Sequence, residues 1–123
     1  MKMRQVIVGT YCCGHAQAQL VLREGDGAEF YLVPEDGCVP RIKLGADRTS
    51  WSKMVSVLLH EIQELIMEQR HYRYTAAGDR AQDHGSYVFM LNHAQFSDLC
   101  ACAGEYLTAA LPDLATAWKK WRK

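Results

Sequence analysis

The chain has 123 residues, five of them Cys, with 14 Lys+Arg balanced by 14 Asp+Glu and an apolar fraction of 49%. This length supports a single domain over residues 1–123 with one core, large enough to fold without disulfide staples. Zero formal charge argues against a dedicated nucleic-acid binder, which needs a cationic excess or stripe. No apolar run approaches the roughly 18 residues of a membrane span, and Val6–Gly9 is too short for the core of a secretory signal, so a cytoplasmic protein is expected.

The first 45 residues read as strands. Val6–Tyr11 is β-prone, and Ala16–Leu22 alternates in part. Glu24-Gly25-Asp26-Gly27 is a turn signal with two glycines free to take positive φ. Ala28–Val33 resumes as a strand, so residues 16–33 are expected to form a β-hairpin. After Pro34-Glu35-Asp36-Gly37, Cys38–Leu44 is a fourth strand, which Pro40 confines to an edge or to a late start at Arg41.

From Thr49 the period changes to 3.6. Thr49 or Ser50 is a suitable N-cap, and Met54, Val55, Leu58, Leu59, Ile62, Leu65 and Ile66 fall on one stripe. One amphipathic helix is expected from about Trp51 to Arg70. Residues 71–86 are polar, contain Gly78 and Gly85, and read as a loop or irregular hairpin. Tyr87–Leu91 is a strand or a lead-in to the next element. Asn92 with Gln95 makes a capping-box pattern, opening a helix over His93–Leu111 with Phe96, Leu99, Ala103, Tyr106, Leu107 and Ala110 inward. Pro112 ends or kinks it, and Asp113–Lys123 forms a third, short helix carrying Trp118 and Trp121. The class is α+β: an N-terminal antiparallel sheet packed against a long helix and one or two C-terminal helices.

Cys12, Cys13, Cys38, Cys100 and Cys102 include no C-x-x-C pair and read as small packing thiols in a reducing compartment. The metal-ligand pattern lies elsewhere, in Leu58-Leu59-His60-Glu61-Ile62-Gln63-Glu64. His60 and Glu64 stand one helical turn apart and can converge on one ion. Glu61 flanks them. In the related H-E-x-x-H arrangement two His bind zinc and the Glu is the general base. A carboxylate in the second position is an acceptable zinc ligand. The same residues also suit an ordinary polar helix face. Val57 and Met67 lie on that side, which suggests partial cover by the second helix. Glu64 and Glu68 are like charges one turn apart, a small cost that a divalent cation offsets. A catalytic zinc needs a third protein ligand. His93, opening the second helix, and His84, in the polar loop, are the candidates; His71 points away if the first helix continues.

The stretch from Leu44 to Leu107 resembles small zincin-like proteins encoded by phages and prophages. The matching residues are Leu58-Leu59-His60-Glu61-Ile62-Gln63-Glu64, followed by Asn92-His93-Ala94-Gln95-Phe96. The resemblance implies a minimal metallopeptidase-like fold, with His60, Glu64 and His93 as metal ligands, Glu61 as catalytic base, Zn2+ as cofactor and the host cytosol as compartment. The expected function is zinc-dependent hydrolysis of a peptide or protein, with an edge strand such as Arg41–Leu44 holding an extended substrate by β-addition. The alternative is a non-catalytic interaction or inhibitor protein that keeps metal for folding. Nucleic-acid binding through Trp118-Lys119-Lys120-Trp121-Arg122-Lys123 or His71-Tyr72-Arg73-Tyr74 is a weaker reading, because cations favour a helix C-terminus and the two Trp suit the core.

Overall fold

A computed structural model describes residues 3–32, 39–47, 49–75 and 87–123. The elements in chain order are β1 (Gln5–Cys13), β2 (Ala16–Arg23), β3 (Ala28–Tyr31), β4 (Arg41–Gly45), α1 (Trp51–Gln69), β5 (Arg73–Thr75), β6 (Tyr87–Phe89) and α2 (His93–Trp121). The class is α+β, as expected, but the sheet differs in two respects.

First, the hairpin is β1–β2, not residues 16–33. Gly14 takes φ 69°, a conformation natural to glycine, and reverses the chain there. The two strands then pair antiparallel from Gln5↔Arg23 to Cys13↔Ala16, with a bulge between Ile7 and Gly9. Second, β4 inserts between β2 and β3, so the strand order is β1-β2-β4-β3. β4 runs parallel to β2 and antiparallel to β3, and the sheet is mixed. Segment 41–45 is therefore interior, not the edge expected to hold a peptide. Pro40 permits this because it lies just outside the strand. It lends its carbonyl to the N–H of Gln19 at 2.8 Å, and the late start at Arg41 needs no proline N–H.

The reason for the insertion is visible at the far end of β4. The Gly25–Gly27 turn does not close a tight hairpin; its backbone is taken up by the chain leaving β4. Gly45 N–H donates to Gly27 O at 2.7 Å, Ala46 N–H to Arg23 O at 2.9 Å and Asp47 N–H to Gly25 O at 3.0 Å. A side chain at Gly45 would run into the backbone of Asp26. Insertion also buries Ile42 and Leu44 completely, which an edge position would leave half-solvated.

One sheet face is covered. Ala18, Leu20, Leu22, Ile42 and Leu44 are fully buried on it. α2 lies over β1 and β2, α1 over β3 and β4, and the two helices pack against each other. α2 runs antiparallel to β1. Gly14 N–H donates to Glu105 Oε1 at 2.9 Å, Tyr11 OH to Asp113 Oδ2 at 2.7 Å, and the Arg4 guanidinium stacks 3.7 Å from the Trp121 ring centroid. Tyr106 lies under the sheet, edge-on to Tyr11, with its OH on Ala18 O at 3.1 Å. The two indoles find partners as buried indoles must: Trp118 Nε1–H donates to Ala46 O at 3.3 Å and Trp121 Nε1–H to Asp47 Oδ1 at 3.0 Å.

This anchoring explains why Pro112 neither ends nor divides the second helix. α2 continues to Trp121 with the proline inside it, so the expected third helix is its last part. A mid-helix proline costs about 3 kcal/mol. Burial of Leu114, Trp118 and Trp121 outweighs that at roughly 25 cal/mol per Å2. Pro112 itself faces solvent.

The caps follow the sequence. Ser50 Oγ accepts from Lys53 N–H at 3.2 Å. Asn92 and Gln95 complete the reciprocal box at 2.9 and 2.7 Å. α1 closes one residue short of the expected end. His71 takes φ 61°, and Tyr72 N–H returns to Met67 O at 2.8 Å, a Schellman closure with histidine where glycine is usual. β5 and β6 pair antiparallel over Arg73–Thr75 and Tyr87–Phe89; β5 lies in the segment 71–86 read as a loop or irregular hairpin, β6 in the run Tyr87–Leu91 read as a strand or lead-in, and residues 76–86 fall outside the described residues. Among the described residues no helix is long and apolar enough to cross a membrane.

Two glycines should respond in opposite directions to alanine. Gly45→Ala forces the β4 exit away from Asp26 and should lower stability by about 2 kcal/mol or more. Gly104, mid-helix with open space around it, should gain up to about 1 kcal/mol; urea unfolding of both variants checks the pair. Stability should also fall at alkaline pH. Burial pushes the Cys13 thiol from 9.0 up to about 11, with nearby Cys102 adding to the rise, and burial raises Tyr106 as well. A raised pKa stabilises the fold below the unfolded value and that contribution is lost as pH climbs through the folded value. Urea midpoints should be level below pH 8 and decline from about pH 9 to 11, less steeply in Cys13→Ala.

Candidate metal site on helix α1

α1 has no Gly or Pro between its caps, so its positions keep strict helical register. His60 and Glu64, one turn apart, meet: His60 Nε2 lies 2.8 Å from Glu64 Oε2. Glu61 joins them. One donor atom from each of His60, Glu61 and Glu64 lies within 4.8 Å of the others. Among the described residues this is the one such trio of His, Cys, Asp or Glu.

The trio straddles the boundary between core and solvent. Glu61 is buried at 8% exposure, the Glu64 side chain is 13% exposed and the His60 side chain 67%. Met67 and Glu68 are buried too, so this side of α1 is partly covered, as Val57 and Met67 suggested. The sequence reading missed how far the acidic positions are buried. The available signal was spacing: Glu61, Glu64 and Glu68 recur at i, i+3 and i+7, the period of a covered stripe.

A single imidazole nitrogen with two carboxylates is a donor set that zinc accepts. Two ligands on one tetrahedral zinc stand about 3.3 Å apart, given bond lengths of about 2.0–2.1 Å. The His60–Glu64 pair is already close to that spacing and would open by roughly half an ångström to admit the ion. The exposed imidazole leaves an approach from solvent. The residues present therefore fit a divalent cation.

The trio includes none of the other expected participants that are described. His93 is the first residue of α2, directly after its Asn92 cap, exposed and not part of the trio. His84 falls outside the described residues. His71 is exposed and serves the α1 closure. Cys12 and Cys100 are exposed while their neighbours Cys13 and Cys102 are buried. Cys13 and Cys102 sit where α1 meets α2 and the β1–β2 turn. There Arg70 pairs with Asp98 and donates to Cys102 Sγ at 3.5 Å. In the basic tail, Trp118 and Trp121 are each 6% exposed, and cations stack on both rings, Arg122 on Trp118 and Arg4 on Trp121.

No protein-family model matches the chain, and no curated protein or solved structure matches it either.

Proposed function

We propose that the chain binds zinc through His60, Glu64 and a third protein ligand, His93 or His84, and acts as a minimal zincin-like hydrolase on a peptide or protein, with Glu61 as the general base. The observation that carries this reading is the meeting of His60, Glu61 and Glu64 within 4.8 Å on one turn of one helix. The chemistry zinc supplies when bound is polarisation of a carbonyl and acidification of water. His60 Nε2 and Glu64 Oε2 hold the ion. Burial keeps the Glu61 carboxylate away from bulk water, beside the other two groups, where it takes a proton from attacking water and returns it to the leaving amine.

A second reading has its own support. Glu61 offers a carboxylate oxygen within 4.8 Å of the donor atoms of both His60 and Glu64. With His60, Glu61 and Glu64 all ligating, three protein ligands are complete without His93, and no base remains. The chain is then a non-catalytic interaction protein that holds metal for stability.

Zinc titration by calorimetry decides whether the site exists. Wild type should bind stoichiometrically, and His60→Ala and Glu64→Ala should each weaken binding by more than about 100-fold. Loss of binding in His93→Ala makes His93 the third ligand; unchanged binding leaves that place to His84 or, in the second reading, to Glu61. Absence of zinc binding by wild type removes both readings. Glu61→Gln separates them. As a base variant it keeps zinc affinity and loses hydrolysis of a casein or peptide-library substrate. As a ligand variant it loses affinity, and wild type shows no hydrolysis above the metal-free control.

A further inference from the structure

Away from the α1 site, β1 forms one edge of the sheet, and among the described residues only β2 pairs with it. It is the longest strand, nine residues, against four in β3 at the opposite edge. Beside β1 lies a groove of about 550 Å3, walled on one side by residues 4–8 and on the other by the last turns of α2, from Asp113 to Trp121. That volume is in the range of true ligand sites.

The backbone along the groove is directed outward at defined positions. Arg4 O accepts from Glu24 N–H at 2.9 Å, so Arg4 faces β2. Antiparallel strands alternate the direction of their polar groups, which turns the N–H and C=O of Gln5 and Ile7 towards the groove. The bulge after Ile7 ends this regular stretch. Proteins commonly protect such an edge with lysine, proline or a very short strand. β1 has no lysine or proline, and its one protective device, the bulge, lies beyond Ile7. The strand presents exposed Val6 and Ile7, at 43% and 62%.

Charge gives the occupant its sign. Arg4 lies at one end of the groove, its guanidinium held flat on Trp121, with exposed Lys120 on the facing wall. The one acidic lining residue, Asp113, accepts the Tyr11 hydroxyl at the other end. The cationic end is thus pre-oriented, and the anionic group is already engaged.

We infer that the groove between β1 and the C-terminal part of α2 binds an extended acidic peptide segment of a partner protein, which pairs with the backbone of Gln5 and Ile7 and places a carboxylate between Arg4 and Lys120. Strand addition beside a flanking helix uses main-chain hydrogen bonds for affinity and side-chain contacts for selection. This surface is built from β1 and α2, so it stands whether or not the α1 site binds metal.

The test is fluorescence anisotropy with a short labelled peptide alternating valine and glutamate. Its controls are a lysine-for-glutamate version and one N-methylated at alternate amides. The acidic peptide should bind, and both controls should bind at least about tenfold more weakly. Lys120→Glu, an exposed change on a helix surface, should reduce binding of the acidic peptide about tenfold, and Ile7→Pro should reduce it further. Backbone amide shifts on titration should centre on Gln5 and Ile7. Failure of the acidic peptide to bind, equal binding of acidic and basic peptides, or indifference to Lys120→Glu overturns the inference. So does a concentration-dependent dimer of the free protein that Ile7→Pro abolishes, which would assign the edge to a second copy of the chain.

Discussion

The sheet offers a buried apolar face on one side, and both helices are arranged to cover it. Ala18, Leu20, Leu22, Ile42 and Leu44, on the central strands β2 and β4, make the apolar middle of a face four strands wide. One helix, about 10 Å across, is too narrow for it. Two helices side by side suffice, and they must then meet along a common seam. That requirement places α2 on β1 and β2, puts α1 on β3 and β4, and turns one flank of α1 towards the seam. Arg70 ties the end of α1 to α2 through Asp98 and Cys102. The acidic flank of α1 is half-covered, with Glu61 at 8% exposure and the Glu64 side chain at 13%, and this distinguishes them from carboxylates on an ordinary wet helix.

Local signals were legible in the residues. The α1 stripe, the Ser50 cap and the Asn92–Gln95 box all depend on neighbours within a few positions, and all are present. Two features were not legible, because their causes lie far along the chain. The insertion of β4 between β2 and β3 rests on parallel pairing of Gln19–Arg23 with Arg41–Gly45, and strand alternation does not encode the order of strands. The continuity of α2 through Pro112 rests on anchoring of Trp118 and Trp121 by Ala46 and Asp47. Read alone, a proline stops a helix; read with the burial beyond it, it does not.

The site was legible in the same uneven way. His60 and Glu64 follow from helical spacing alone. Placing His93 beside them requires the crossing geometry of two helices, which a single sequence does not carry. His93 is exposed in the first turn of α2 and is not one of the trio. The burial of Glu61 is likewise a tertiary fact. It makes the assignment of Glu61, as base or as ligand, the central chemical question about the trio.

The antiparallel run of α2 along β1 also bears on the order in which the molecule can be made. Arg4 rests on Trp121, Tyr11 on Asp113 and Gly14 on Glu105, so β1 is covered by a helix whose contacting residue is made 91 positions after Gly14. Synthesis at about 5–20 residues per second leaves that strand uncovered for several seconds. During that interval the β1–β2 hairpin has its apolar face open, and a hairpin alone is marginal in water. Folding of the sheet is therefore tied to the synthesis of α2, and the nascent β1–β2 hairpin is open to aggregation until α2 arrives.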